Sequence, residues 1–227
     1  MCPGPNYPGS KPGSDPGADA KSAIRRGAAA LGQDLPDEQV QKLADLLAEL
    51  ARWNARFNLT AIRDIHEMVA GHVLDSLAAR PLVRGPRVID IGTGAGFPGL
   101  PLAIVEPRME FLLLDSHGKK ISFVSHMLGE LELGNAAATR ARAEDYAPDT
   151  RFDTVIVRAL ASLPQLVELS GHLVGEDGQL LALKGKYPAA ELEAINALPD
   201  WEYDIATLDV PGLEGRARHI VNLRRLR

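Results

Sequence analysis

Arg87-Val88-Ile89-Asp90-Ile91-Gly92-Thr93-Gly94-Ala95-Gly96-Phe97-Pro98-Gly99-Leu100 decides the fold. A short Val/Ile run ends in an acid. Glycines follow at alternate positions, and an apolar, helix-like run comes next. Strand, tight glycine turn and helix start form the place where open α/β sheets bind nucleotide-like ligands.

Outward from that stretch the pattern repeats. Val88–Ile91, Phe111–Leu114, Ala136–Ala141, Thr154–Val157 and Leu180–Leu183 read as short apolar strands. Helical stretches at Leu100–Val105, Lys119–Leu131, Pro164–Val174 and Pro188–Ala197 lie between most of them, with a shorter interval around Glu144–Tyr146. This alternation predicts a parallel sheet with helices on both faces. Tyr203–Val210 and Ala217–Leu226, separated by Pro211-Gly212 and Gly215, predict an antiparallel hairpin that closes the sheet.

Upstream, the apolar residues switch to helical spacing. Leu43, Leu46, Leu47, Leu50 and Trp53 form one face of a helix over Asp37–Asn54, with Asp37 and Glu38 in its first turn. A second helix is expected from Asp64, which stands at capping-box spacing from Glu67. Its buried stripe is Ile65, Met68, Val69, Val73 and Leu77, and Pro81 stops it. Residues 1–20 hold five Pro and four Gly. The expected organisation is therefore a disordered Pro/Gly-rich tail over 1–22, a helical extension over 23–83 and an α/β domain over 84–227.

The 227 residues are 45% hydrophobic and 24% charged, which suits one globular domain with a small extension. The single cysteine, Cys2, forms no internal disulfide, and the composition fits a reducing cytoplasm. No run of 18 apolar residues suggests a membrane span. The net charge of −5 argues mildly against nucleic acid, yet from Arg216 onward there are five Arg and no acid. A local basic edge of that kind serves RNA even on an acidic protein.

Gly94-Ala95-Gly96-Phe97-Pro98-Gly99 matches G-x-G-x-x-G, so a dinucleotide must be weighed. Pro98 removes one backbone donor that a pyrophosphate would need. Asp90, two residues before Gly92, would repel such an anion. S-adenosylmethionine carries a sulfonium and an ammonium, which an acid near the first strand end suits. The D-x-G-x-G-x-G run over Asp90, Gly92, Gly94 and Gly96 resembles the first motif of class I methyltransferases. Asp115 ends the second strand 25 residues after Asp90, where ribose hydroxyls are expected. Ala143 and Glu144, after the third strand, would border the adenine. Arg158, after the fourth, points into the site, where its charge asks for a carboxylate partner or a substrate to read.

Residue types that are missing narrow the acceptor. A pyrimidine carbon calls for a cysteine nucleophile, and only Cys2 is available. An adenine amine commonly goes with an Asn/Asp-Pro-Pro-aromatic run, and Arg158-Ala159-Leu160-Ala161 stands in its place. A hydroxyl acceptor calls for a base or a metal. No ligand cluster is visible, and the scattered histidines, His66 and His72 among them, read as structural. Guanine N7 offers a free lone pair and needs no deprotonation, so proximity and orientation can carry the chemistry. A small-molecule methyltransferase and a non-catalytic regulator on the same fold stay open on this ground alone.

Seven segments together resemble the bacterial small-subunit ribosomal RNA guanine-N7 methyltransferase family, also called glucose-inhibited division protein B. They are Trp53-Asn54 with Phe57-Asn58-Leu59-Thr60, His72–Leu77, Asp90–Pro101, Leu114–Lys120, Arg158–Leu163, Leu183-Lys184-Gly185 and Arg218-His219. The Asn-Leu-Thr and His-x-x-Asp-Ser segments lie outside a generic methyltransferase core. The resemblance runs from about Leu35 to the C-terminus. It implies a class I (Rossmann-like) fold with an N-terminal helical extension, S-adenosyl-L-methionine as methyl donor, no metal, and a guanine of 16S rRNA as acceptor. The substrate is then 16S rRNA within the small ribosomal subunit or an assembly intermediate; a cytoplasmic location follows from the composition, and a monomer is the default expectation. Carried onto this chain, the cofactor site comprises Gly92, Gly94, Gly96, Phe97, Asp115, Ala143, Glu144 and Arg158, with Arg158 also catalytic. Lys119, Lys120, Lys184 and Arg218 are expected on the RNA side.

Overall fold

The computed structural model describes residues 16–226. Seven strands form one sheet in the order β3-β2-β1-β4-β5-β7-β6. β1 (Arg87–Ile91), β2 (Glu110–Asp115), β3 (Ala136–Arg140), β4 (Phe152–Arg158) and β5 (Val174–Lys184) run parallel. β7 (His219–Arg225) lies antiparallel between β5 and β6 (Trp201–Thr207), which is the expected closing hairpin. β5 is longer than its apolar stretch suggested. Its first half carries Gly175, Glu176, Asp177 and Gly178 and meets β4 across a register shift between Phe152 and Thr154.

Strand order reverses between β1 and β4. In such sheets the crevice outside the carboxyl strand ends opens at that point. Residue parity sorts the strands into two cores. Val88, Leu113 and Ile156 face one side, with α5 (Gly99–Val105) and α6 (Gly118–Glu130). Ile89, Ile91, Val155 and Val157 face the other, with α7 (Leu163–Ser170) and α8 (Ala189–Asn196). No helix separates β3 from β4; the chain crosses there by turns over residues 143–145.

The helical extension packs on the first face. α2 (Asp37–Phe57) buries Leu43, Leu46, Leu47 and Leu50, as its periodicity predicts. α1 (Pro16–Ala30) begins inside the segment expected to be a tail. Residues 16–22 are helical, and Ala20 and Ile24 join the core. Beyond Pro16 the composition turns Ala-rich, and proline is tolerated at a helix start. The rest of the expected tail, residues 1–15, lies outside the described residues. The extension shares one continuous core with α5 and α6.

The helix expected after Asp64 has three parts. α3 (Ile65–Met68) is capped by Asp64, whose side chain accepts from the His66 and Glu67 N–H groups. A π-helical turn follows over Val69–Leu74, and α4 (Asp75–Ala79) completes it. Among the described residues no helix is long and apolar enough to cross a membrane.

Candidate active site

Two adjoining cavities open at the crevice. The larger, about 490 Å³, is lined by Gly92 and Gly94 of the turn, Phe97, Asp115, Ala143, Glu144 and Arg158, among others. The smaller, about 360 Å³, shares His72, Arg158 and Ala159 with it and adds Asp75, Lys184, Gly185, Arg218 and His219.

The turn after β1 is held by its own N–H groups. Gly92 and Thr93 donate to the Leu114 carbonyl at 2.8 and 3.1 Å, and Gly96 and Phe97 donate to the Thr93 carbonyl at 2.9 and 3.0 Å. Gly94 N–H donates to Asp115 Oδ2 at 3.0 Å, and Gly99 N–H to Asp90 Oδ2 at 2.8 Å. Pro98 has no N–H. Six N–H groups of the turn, those of Gly92, Thr93, Gly94, Gly96, Phe97 and Gly99, are thus engaged inside the protein rather than aimed at a pyrophosphate. This geometry weighs against a dinucleotide in the same direction as Pro98 does.

Asp90 itself is corrected by the structure. It does not line the cavity; it is buried at 1% exposure against the start of α5. Its Oδ2 also accepts from Thr93 Oγ1 at 2.6 Å, while Oδ1 is buried without a partner. Burial pushes its pKa up to about 6 against the pull of those hydrogen bonds. Asp90 is the pin that holds the glycine turn to the start of α5. Gly96 is likewise not a lining residue. It supplies a left-handed turn (φ +88°), and a Cβ there would stand 2.3 Å from Leu100 Cδ1.

Asp115 does line the larger cavity. Its Oδ1 accepts from the His117 N–H and ring Nδ1, each at 2.8 Å, and Lys120 Nζ stands 3.6 Å from Oδ2. Burial works to raise its pKa, but the His117 bonds, Lys120 and the Gly94 N–H outweigh it, and the net shift is downward. The carboxylate stays ionised with acceptor capacity left on Oδ2. Ala143 is buried and Glu144 exposed, both on the cavity wall as expected.

Arg158 leaves the end of β4 and is shared by both cavities. Nη1 donates to the Gly71 carbonyl at 3.0 Å and stands 3.3 Å from Asp75 Oδ2. The guanidinium carbon lies 5.8 Å from the Phe97 ring centroid. His72 stacks on the same Phe97 ring, centroids 4.5 Å apart and planes 19° apart. Burial, aided by the Arg158 charge, presses the His72 pKa to about 3, so the ring is neutral at physiological pH. Its Nε2 meets Thr60 Oγ1 at 2.9 Å, and the Thr60 loop is pinned by buried Asn54, which accepts from the Thr60 N–H and donates to the Thr60 carbonyl. Beyond Arg158, Ala159 adopts a left-handed backbone (φ +53°) at the lip of both cavities, a costly conformation for a residue with a Cβ.

The four lysines and arginines expected on the RNA side separate. Arg218 lines the smaller cavity and donates from Nε to Asp75 Oδ1 at 2.9 Å. Lys184 lines it too, but its amine is held by Glu191 Oε2 and the Ala161 carbonyl, each at 2.8 Å, and so clamps the loop after β4. Lys120 lies in the larger cavity beside Asp115. Lys119 is exposed on α6 and lines neither. Sequence reasoning read His72 as structural and gave Asp75 no site role, though both belong to the His-x-x-Asp-Ser segment. The signal was a histidine and an aspartate set among the Val69, Val73 and Leu77 stripe, which a stable core admits only if they find partners.

The sheet order, the glycine turn after β1 and the acid at the end of β2 define a class I S-adenosylmethionine-dependent methyltransferase. Solved structures share the fold. An S-adenosylmethionine-dependent methyltransferase from Aquifex aeolicus aligns with TM-score 0.55 at 17% identity, covering 69% of this chain and 92% of that one. One from Geobacter sulfurreducens, solved with S-adenosyl-L-homocysteine, aligns with TM-score 0.51 at 12% identity, covering 67% and 90%. Residues 39–221 match the family model described as rRNA small subunit methyltransferase G. Proteins named ribosomal RNA small subunit methyltransferase G are 45% identical over 195 residues in Legionella pneumophila strain Corby (86% of this chain, 90% of that protein) and 45% identical over 190 residues in Haemophilus influenzae (84% and 93%). The chain belongs to the rRNA small subunit methyltransferase G family.

Proposed function

We propose that this protein methylates N7 of a guanine in 16S rRNA, within the small ribosomal subunit or a precursor of it in the cytoplasm, using S-adenosyl-L-methionine held in the larger cavity. The carrying observation is the pair of adjoining cavities. One has an ionised acid and a turn whose N–H groups are mostly engaged within the protein, which suits a sulfonium nucleoside, and the other has a basic rim suited to RNA. S-adenosylmethionine supplies an electrophilic methyl group on a cationic sulfur. In this reading Asp115 takes the ribose hydroxyls, Ala143 and Glu144 border the adenine edge, and Phe97 gives apolar contact to the nucleoside; all four line the larger cavity. Arg158 stands between the two cavities, with its guanidinium paired to Asp75, which it shares with Arg218.

The two polar groups nearest Arg158, His72 and Asp75, do not offer a strong base, and His219 on the far wall turns Nδ1 to the Gly185 carbonyl at 3.3 Å. His72 is too weak at a pKa of about 3, and Asp75, the smaller cavity's one carboxylate among its lining residues, is taken by two guanidinium groups. That suits an acceptor atom with a free lone pair, as guanine N7 has, and leaves proximity and alignment to supply the rate. In regular A-form RNA N7 lies in a deep, narrow groove, so the acceptor is an unpaired nucleotide splayed into the site. Among the described residues no group of three or more potential ligands is placed to hold a metal. The protein acts as a monomer in this account.

The test is methylation in vitro. Purified protein, labelled S-adenosylmethionine and small subunits from cells lacking the modification are incubated, and the 16S rRNA is digested to nucleosides. The expected product is labelled 7-methylguanosine at one position. Label on another nucleoside, or none on RNA, refutes the proposal.

A further inference from the structure

Asp75 joins three parts of the fold at the edge of the smaller cavity. It begins α4 directly after the π-turn and is only 5% exposed. Its Oδ1 accepts from Arg218 Nε, just before β7, and its Oδ2 faces Arg158 Nη1, at the end of β4. The π-turn adds the Gly71 carbonyl, which accepts from the same Arg158 nitrogen. Burying a carboxylate between two guanidinium groups costs solvation that apolar packing would avoid, so the triad is poor economy as a mere fastening. Its geometric effect is specific. The carboxylate engages Arg158 through Nη1 and Arg218 through Nε, and Arg218 Nη1 turns to the Ala217 carbonyl. Nη2 of each fork stays clear of the carboxylate, with Arg158 Nη2 standing 3.5 Å from His72 Nδ1, and both arginines border the same cavity. Planar forks held this way match the oxygens of a phosphate or the edge of a purine.

We propose that Asp75 is a positioning residue for methyl transfer. It sets Arg158 and Arg218 as one rigid pair around the smaller cavity, which seats the acceptor nucleotide. The proposal deepens the reading of this protein as an rRNA methyltransferase and rests on it. Asp75 acts through the two arginines and touches neither donor nor reacting atom. The negative charge it adds weakens RNA attraction slightly, while the order it imposes serves the chemical step.

That combination separates positioning from simple structural support. In D75N the amide keeps the shape and removes the charge. The expected result is a 10- to 100-fold loss of kcat on small subunits. RNA binding should be no weaker than wild type at low salt, with a steeper dependence on salt, because one negative charge has left the RNA face. Binding of S-adenosylhomocysteine should stay within threefold. A kcat within twofold of wild type overturns the proposal. So does a parallel loss of RNA affinity, S-adenosylhomocysteine affinity and kcat, which is the mark of a damaged fold. Should D75N fail to fold by circular dichroism, D75E carries the test. It keeps the charge but displaces both forks, so kcat should fall more than tenfold with a wild-type salt slope, and wild-type kcat would refute the role. Failure of the wild-type protein itself to label guanosine would sink the underlying function, and full activity of the wild type beside a fully active D75N sinks only this inference.

Discussion

Asp90→Asn isolates the strongest electrostatic tension in the cofactor half of the site. The wild-type carboxylate is buried, with one oxygen bonded to Thr93 and Gly99 and the other without a partner. Its pKa is lifted from 3.8 to about 6 in the folded protein. A raised pKa in an acid means that the folded state binds the proton more tightly than the unfolded state. Stability from this group is therefore full below pH 3.8, declines as pH rises, and is lost above pH 6. At about 1.4 kcal/mol per pKa unit, the ionised carboxylate costs about 3 kcal/mol at neutral pH. Asparagine resembles the protonated acid. Its carbonyl can accept from Thr93 and Gly99, and its amide leaves one buried group unpaired, as the acid proton does. The stability of D90N relative to wild type should thus grow by about 2 kcal/mol between pH 4.5 and pH 7.5. Urea unfolding followed by Trp53 and Trp201 fluorescence reads this as a midpoint difference that widens by on the order of 1 M. His72 titrates in both proteins and cancels in the comparison. Because Asp90 does not line the cavity, S-adenosylhomocysteine should bind D90N within threefold of wild type. A stability difference that is constant with pH refutes the buried-acid account. A tenfold loss of ligand affinity in a stable D90N would return Asp90 to the ligand.

Other substitutions probe the remaining parts. Asp115→Asn should weaken S-adenosylhomocysteine binding by roughly 1–3 kcal/mol in calorimetry, through loss of hydrogen bonds to an ionised group; an unchanged Kd takes Asp115 out of the site. Gly96→Ala should lower thermal stability by about 1–3 kcal/mol, since the left-handed turn and the Leu100 side chain both oppose a Cβ; wild-type melting would contradict the turn geometry. Lys184→Met should reduce kcat by freeing the loop at Ala161, yet leave the salt dependence of RNA binding unchanged, because Glu191 already neutralises that amine. A slope smaller by about one phosphate contact would place Lys184 on the RNA instead.

The cofactor half was legible because its signals are local. An acid ending a strand, glycines at alternate positions and Asp115 one βα unit later all follow from chain order, and so does Arg158 at the tip of β4. Asp90 shows the limit of that reading. Strand alternation sets it on the same face as Val88, under α5, and that parity was available in the sequence. Its distance from Gly92 suggested a ligand contact, but its direction decided the matter. The acceptor half depends on contacts far apart in the chain. The Asp75 to Arg218 pair spans 143 residues, and the π-turn that precedes Asp75 leaves no periodic signature. A charged residue inside an apolar stripe announces only that a partner exists. Lys184 is the converse case: its charge suggested RNA, while Glu191 in α8, seven residues on, had already claimed it.

A crystal structure of the protein with S-adenosylhomocysteine tests the central claim most directly. The account places the adenine beside Ala143 and Glu144, the ribose hydroxyls on Asp115, and the sulfur toward Arg158 and Ala159, where the two cavities meet. Ligand density that leaves Asp115 untouched, or a sulfur directed away from the cavity bordered by Asp75 and Arg218, would contradict it.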